Sequence, residues 1–75
     1  MNQLTPEEKR IVLFIRDFIE TNKYAPSFRE VATAMKKPLG SIINNRMKTI
    51  REKGYIGYVD RKSRALWLTE KGELL

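Results

Sequence analysis

The sequence contains no cysteine and no histidine among its 75 residues. This excludes a disulfide framework and any metal site built on thiolate or imidazole ligands. Nucleophilic pairs that need cysteine or histidine are excluded for the same reason. A chain of this length without such reinforcement must rely on one small hydrophobic core, on an oligomer or on a ligand.

Long apolar runs are also missing. No stretch approaches the roughly 18 apolar residues that a membrane span needs, and the first six residues lack the basic and apolar regions of a signal peptide. These absences favour a cytoplasmic protein with no membrane partner. There is no phosphate-binding glycine loop and no convergent set of carboxylates and lysines, so the sequence predicts no enzyme, no cofactor and no metal.

Acidic residues are few in one part of the chain. Lysine and arginine number 15 against 9 aspartates and glutamates, giving +6. Residues 1–35 carry five of each sign, whereas residues 36–64 carry nine basic groups against two acidic ones. Such a localised basic surface suits a polyanion, because each neutralised phosphate releases counterions. Charge alone does not decide between this and a solvated surface that keeps the protein soluble.

The first predicted helix runs from Pro6 to residue 21 or 22. Thr5 can cap its first turn, Pro6 stands where a missing N–H costs nothing, and Glu8 can complete a capping box. Apolar residues recur at i, i+3, i+4, i+7 and i+8 from Ile11 to Ile19. This spacing is typical of a helix with one buried face.

Two shorter helices are predicted on either side of a turn. Ser27 and Glu30 form a second capping box, and the helix that follows should end near Lys36. Residues 37–40 form the turn, because proline and glycine interrupt the pattern there. The third helix should run from residue 40 or 41 to Lys53, with Gly54 in the left-handed cap position.

The third helix has two different faces. Spaced by about 100° per residue, its apolar side chains form a buried stripe of Ile43, Met47 and Ile50. The opposite face carries polar residues at matching spacing, namely Ser41, Asn44, Asn45 and Lys48.

Two strands are predicted at Tyr55–Val59 and Ala65–Leu68, joined by a polar loop. The tail from residue 69 is predicted to hold a short turn or to fray. The fold class is therefore mainly α with a small β-hairpin, a winged helix-turn-helix of three helices and a two-stranded wing. One domain is predicted over residues 1–75, with the helix-turn-helix at about 28–53 and the wing at about 55–68.

Several segments carry a family resemblance: Leu4-Thr5, Phe14 to Ile19, Tyr24 to Ala32, Met47 to Ile56, and Arg64 to Leu68. Together they resemble the N-terminal DNA-binding domain of LexA-type repressors, which control the bacterial SOS response. The resemblance implies a winged helix-turn-helix that binds double-stranded DNA at promoters. The Pro-Ser-x-Arg-Glu-Val-Ala stretch carries most of its specificity.

The departures from the family pattern concern function. Lys36 stands where the family usually has glycine. The stretch from Leu39 to Arg46 stands where the family often has a Ser/Thr-rich helix start that carries a histidine pair. The family's operator sequence is therefore not carried over. The chain also ends where the family continues into a self-cleaving, dimerising domain. An excised domain and a complete small regulator both remain open, and Met1 slightly favours the second. A regulator of that kind would suit a phage or plasmid genome.

Four residues of the third helix are predicted to contact bases. Asn44 and Asn45 can form paired hydrogen bonds with adenine N6 and N7, or remain merely solvated. Ser41 can contact a base or phosphate, or serve the helix N-terminus. Ile42 borders the two faces, where it either meets a thymine methyl or packs in the core beside Ile43. The periodicity slightly favours the core for Ile42.

Nine residues are predicted to contact the DNA backbone. They lie at the start of the second helix, at the turn that follows it, in the third helix or in the wing: Ser27, Arg29, Lys36, Lys37, Arg46, Lys48, Arg61, Lys62 and Arg64. Three of these cations share a five-residue wing loop, which can follow phosphates or enter the minor groove; the alternative is an ordinary exposed loop. Ser27 also has its helix-capping role. Trp67 and Tyr55 are predicted to pack in the core or on a strand.

The sequence therefore predicts a sequence-specific double-stranded DNA-binding transcription regulator, either a repressor or an activator. One such domain contacts few base pairs, which favours a homodimer, formed in solution or only on DNA. An activator would also contact RNA polymerase. The alternative is a protein-binding winged-helix module that modulates another regulator through its basic surface or a strand edge.

Overall fold

The computed structural model describes residues 3–38 and 40–75, so Met1, Asn2 and Leu39 of the predicted turn lie outside the described residues. The elements in chain order are α1 (Pro6–Asn22), α2 (Phe28–Ala34), α3 (Ser41–Glu52), β1 (Ile56–Tyr58), β2 (Leu66–Leu68) and α4 (Glu70–Glu73). This is a mainly helical winged helix-turn-helix, as predicted. The tail, which was predicted to hold a short turn or to fray, forms the one-turn helix α4.

Both predicted capping boxes are present. Thr5 Oγ1 accepts from the Glu8 N–H at 3.2 Å, and the Glu8 carboxylate accepts from the Thr5 N–H at 2.9 Å. Ser27 and Glu30 make the same reciprocal pair at 3.1 and 2.8 Å. Because such caps satisfy otherwise unpaired backbone donors, they set where α1 and α2 begin.

The predicted end of α2 near Lys36 was wrong by two residues. The helix ends at Ala34 because Lys36 adopts a left-handed conformation with φ of 58°. The Lys36 and Lys37 N–H groups then donate back to Thr33 and Ala32 at 3.1 and 2.9 Å. This is a Schellman motif, which closes a helix by turning the chain. Lys36 therefore occupies a position that normally favours glycine.

The core lies where the three long elements meet. The predicted stripe of Ile43, Met47 and Ile50 on α3 is buried, and it joins Ile11 and Ile15 from α1. Burial of such side chains is the main source of stability in a domain this small. The exposed face of α3 is fixed by this packing.

The two strands pair antiparallel, with Ile56 opposite Leu68 and Gly57 opposite Trp67. β1 is one residue shorter than predicted at each end, and β2 is one residue shorter at its beginning. Trp67 is 51% exposed, so it packs on the strand and not in the core. Its indole lies across Gly57, where any Cβ would overlap the ring. Tyr55, by contrast, packs against the core.

A nearly buried ion pair joins the beginning of α1 to the end of α3. Lys53 Nζ donates to Glu8 Oε1 at 2.5 Å and to the Gln3 carbonyl at 2.9 Å. Burial raises the pKa of Glu8, but the hydrogen bonds from Lys53 and Thr5 outweigh it, so the pKa lies below its usual value. No helix in the described ranges is both long and apolar enough to cross a membrane.

Candidate nucleic-acid interface

An open cleft lies between the beginning of α2, the outer face of α3 and the wing loop that joins β1 to β2. Its lining residues are Ser27, Phe28, Arg29, Asn44, Asn45, Lys48, Arg51, Tyr58, Val59, Asp60, Arg61, Lys62, Ser63 and Arg64. Most of the lining residues are of polar type, and six of them are lysine or arginine against one aspartate. Such a concave cationic surface is the expected electrostatic signature of a nucleic-acid site.

The cleft brings together eight of the thirteen residues that were predicted to contact DNA. They are Ser27, Arg29, Asn44, Asn45, Lys48, Arg61, Lys62 and Arg64. The other five lie outside the cleft, at the α2–α3 turn and on the first half of α3: Lys36, Lys37, Ser41, Ile42 and Arg46. The structure therefore brings eight of the predicted residues together in one cleft and leaves the other five outside it.

The amide-bearing face of α3 is positioned by the packing of its opposite face. Asn44, Asn45 and Lys48 are exposed, while Ile43 and Met47 are buried against the other helices. The cleft places these polar side chains on the side of α3 that is free to approach a groove of DNA. Whether they contact bases or phosphates stays a prediction.

Ile42 differs from the expectation that slightly favoured the core. Its exposed fraction is 44%, whereas that of its neighbour Ile43 is 1%. The physical reason is that one residue rotates a helix by about 100°, and Ile43 takes the inward direction. An exposed branched apolar side chain therefore stands beside Ser41 on the first turn of α3.

The start of α3 has no capping side chain among the described residues. Gly40 is the N-cap residue, with φ of 146° and ψ of −149°, a conformation that is nearly restricted to glycine. Ser41 follows as the first helical residue. The capping role that the sequence left open for Ser41 therefore belongs to Gly40, through its backbone alone.

The wing loop presents two exposed cations at its tip, Arg61 and Lys62. Arg61 has φ of 63°, a left-handed conformation that tightens the loop. Val59 N–H donates to the Ala65 carbonyl at 2.9 Å, which extends the strand pairing by one bond. The loop thereby holds its charged tip at the rim of the cleft.

Arg64 has different surroundings from the other wing cations. Its guanidinium donates to both carboxylate oxygens of Glu30, at 2.7 and 3.0 Å, and to the Ala25 carbonyl at 3.1 Å. It also lies over the Tyr24 ring, 4.9 Å from its centre. The hydrogen bond from Arg64 holds the pKa of Glu30 below its usual value. Its predicted DNA contact must therefore compete with four protein contacts.

Two other predicted phosphate contacts are also paired within the protein. Arg46 Nε donates to Glu7 Oε1 at 2.6 Å, and Lys37 Nζ lies 3.5 Å from the other oxygen of Glu7. The hydrogen bond from Arg46 is the main reason that the pKa of Glu7 is lowered. Glu7, in the first turn of α1, thus pairs with two cations of the helix-turn-helix.

The sequence analysis missed Arg51, which also lines the cleft. Its guanidinium carbon lies 4.0 Å from the centre of the Tyr58 ring, and one nitrogen lies 3.7 Å from the Asp60 carboxylate. A signal existed, because Ser41, Asn44, Lys48 and Arg51 follow the spacing i, i+3, i+7 and i+10. Extending the polar stripe by one turn would have included it.

Comparisons with known proteins agree with this geometry. The family model described as the LexA DNA binding domain matches residues 1–65. Relatives named LexA repressor include one from Thermotoga maritima, which is 37% identical over 93% of this chain and 35% of its own length. The relative from Nocardioides sp. is 36% identical over 84% of this chain and 26% of its own length. The relative from Myxococcus xanthus is 31% identical over 100% of this chain and 34% of its own length. The chain spans about a third of the length of the curated relatives it matches. Because the family model covers most of it, the chain belongs to the LexA DNA binding domain family.

Proposed function

We propose that this chain binds specific sequences of double-stranded DNA and regulates transcription. The observation that carries the proposal is the cleft, in which the amide face of α3 is flanked by cations of the wing and of α2. Membership of the LexA DNA binding domain family supports it. The curated relatives are named repressors, so repression by occupation of promoter DNA in the cytoplasm is the favoured mode.

In this proposal α3 enters the major groove. Asn44 and Asn45 donate to N7 and accept from N6 of adenine, the pairing that an amide fits best, worth about 1–3 kcal/mol of discrimination for each good pair. Ile42 offers an apolar surface to a thymine methyl group. Ser41 contacts a base edge or the adjoining phosphate.

The surrounding cations bind the phosphate backbone. Lys48 and Arg29 lie along the cleft, and Arg61 and Lys62 extend from the wing tip toward phosphates or the minor groove. Lys36 and the helix-capping Ser27 lie near the two ends of α2. These contacts fix the register on DNA without selecting the sequence.

One domain of this size contacts only a few base pairs. Useful affinity therefore requires two copies on a two-fold or repeated site, and we propose a homodimer that forms on DNA. Activation is the second mode, and it would need an additional contact with RNA polymerase.

The test is selection of bound duplexes from a random pool, followed by binding of the selected sequences at about 50 and 200 mM salt. A sequence motif that keeps its advantage at both concentrations would support the proposal, and its symmetry would give the bound oligomer. Weak binding without enrichment, lost at the higher salt, would overturn it and favour a protein partner.

Two substitutions separate base contacts from phosphate contacts. We expect Asn45→Ala to lose discrimination at one base pair, by about 1–3 kcal/mol. We expect Lys48→Ala to weaken all sequences alike and to lower the slope of log affinity against log salt by about one. Uniform weakening by Asn45→Ala would contradict the base contact.

A further inference from the structure

The wing loop is tied to the body of the domain chiefly through Arg64. The two terminal nitrogens of its guanidinium donate separately to the two carboxylate oxygens of Glu30, 34 residues earlier in the chain. Two-point pairing of this kind fixes direction as well as distance, because both groups are planar. The same guanidinium also donates to the Ala25 carbonyl and lies over the Tyr24 ring.

The backbone of Arg64 is also constrained. Its φ of 58° is left-handed, a conformation that costs free energy for any residue but glycine and persists where neighbouring contacts hold it. On the other side of the loop, Asp60 lies 3.7 Å from Arg51, and its side chain is mostly exposed. The short, two-point contact at Arg64 is therefore the stronger of these two ties.

Glu30 connects the wing to the cleft wall itself. The oxygen that accepts from Arg64 at 2.7 Å also accepts from the Ser27 N–H at 2.8 Å. Ser27 and Arg29 line the same cleft as the wing tip. The Glu30–Arg64 pair therefore fixes the spacing between the beginning of α2 and the loop that carries Arg61 and Lys62.

We propose that Arg64 is a positioning residue, which with Glu30 sets where Arg61 and Lys62 meet the DNA backbone, and that it is not itself a phosphate contact. This inference rests on the proposed DNA binding. Three of the five guanidinium N–H groups of Arg64 already donate to Glu30 and Ala25. A phosphate that bound the remaining donors would lie close to the Glu30 carboxylate, whose negative charge repels it.

Glu30→Gln is the decisive substitution. Glutamine also completes a capping box, so the helix cap survives while the charge is lost. If Arg64 contacts phosphate, removing a negative charge and freeing Arg64 leaves the affinity unchanged or raises it. If the pair positions the wing, we expect the affinity for the selected duplex to fall by roughly threefold to tenfold.

Arg64→Lys separates the same two roles from the other side. Lysine keeps the positive charge but cannot form the two-point pair. The positioning role predicts that Arg64→Lys loses as much affinity as Glu30→Gln. The double variant E30Q/R64Q should bind no more weakly than E30Q or R64Q alone. In a background with Arg61 and Lys62 both changed to alanine, Glu30→Gln should have no further effect on affinity.

The matched control is Glu20→Gln, which removes an exposed carboxylate from α1 and should leave affinity near its original value. A second measurement needs no DNA. Backbone order parameters of the loop amides should fall in E30Q and R64K while those of α3 stay unchanged. Unfolding midpoints of all variants establish that binding is measured on folded protein.

Three results would overturn the positioning role. They are full affinity in R64K, unchanged or tighter binding in E30Q, and unchanged order of the wing loop in both variants. If the unmodified protein selects no DNA sequence, the proposed function and its consequence for Arg64 fail together. If it selects a sequence but E30Q binds it normally, only the inference about Arg64 fails.

Discussion

Lys36 occupies the left-handed position that ends α2, with φ of 58°. A left-handed conformation costs an L-residue roughly 1–2 kcal/mol, since its Cβ crowds the backbone. The chain therefore has a positive charge at the edge of the proposed DNA interface at the expense of stability.

Lys36→Gly should therefore raise stability and weaken DNA binding at once. Relief of the strain exceeds the added flexibility of glycine in the unfolded chain, so we expect a gain of up to about 1 kcal/mol. Urea unfolding measures the stability, and binding to the selected duplex measures the affinity. Lys23→Gly is the matched control, because Lys23 ends α1 with φ of 67°; it should stabilise without loss of affinity. Full affinity in Lys36→Gly would contradict the phosphate contact.

Ile42 permits a test at the level of a single methyl group. If Ile42 packs on the C5 methyl of a thymine, replacing that thymine by deoxyuridine should weaken binding by about fourfold, the value of roughly 0.8 kcal/mol for one buried methyl-sized group. The same replacement should have no effect on the Ile42→Ala variant. An equal loss in both proteins would show that the methyl is sensed elsewhere.

At the scale of elements, local signals predicted most of the fold. Capping boxes fixed the beginnings of α1 and α2, and the 100° periodicity separated the buried face of α3 from its polar one. The end of α2 was misplaced because the closing residue is a lysine, so composition gave no stop signal. The tail was predicted to hold a short turn or to fray, and the pattern did not decide between them because the stability of α4 is tertiary: Gly72 packs directly on the Tyr55 carbonyl, where a Cβ would not fit.

The ion pairs of the candidate site could not be predicted from spacing. Glu7 and Arg46 are 39 residues apart, and Glu30 and Arg64 are 34 apart. No helical or strand periodicity relates such distant positions, so only the packed fold brings them together. The sequence therefore predicted eight of the residues that line the cleft but not which cations are already paired.

Pairing between α1 and α3 gives a prediction for Glu7→Gln. This substitution frees Arg46 and Lys37 from a carboxylate that competes with phosphate. We expect tighter DNA binding and a steeper salt dependence, measured as the slope of log affinity against log salt. Glu20→Gln serves as the control for the change in net charge alone. Unchanged affinity in Glu7→Gln would mean that neither cation reaches the DNA.

At the scale of the whole molecule, the Glu8–Lys53 ion pair joins the first turn of α1 to the end of α3. Because the pKa of Glu8 in the folded protein lies below its ordinary value of 4.5, the charged form stabilises the fold. That contribution is complete above pH 4.5 and is lost as the pH falls through the lowered pKa.

Glu8→Gln should accordingly reduce the free energy of unfolding at pH 7 by about 1–3 kcal/mol. The difference from the unmodified protein should shrink as the pH falls below 4.5, because the unfolded carboxylate is then protonated while the folded one is still charged. Glutamine keeps the capping geometry, so the change isolates the charge. A difference that stays constant with pH would show that shape rather than charge is responsible. Chemical unfolding at a series of pH values measures it.

The packing of Trp67 over Gly57 has a practical consequence. Trp67 is the only tryptophan in the chain, and it is half exposed on the hairpin that carries the wing loop. The protein thus contains one indole fluorophore, on the hairpin whose loop carries Arg61 and Lys62. A change in its emission, or in its quenching by a soluble collider, would report on the hairpin as DNA binds, without an attached dye.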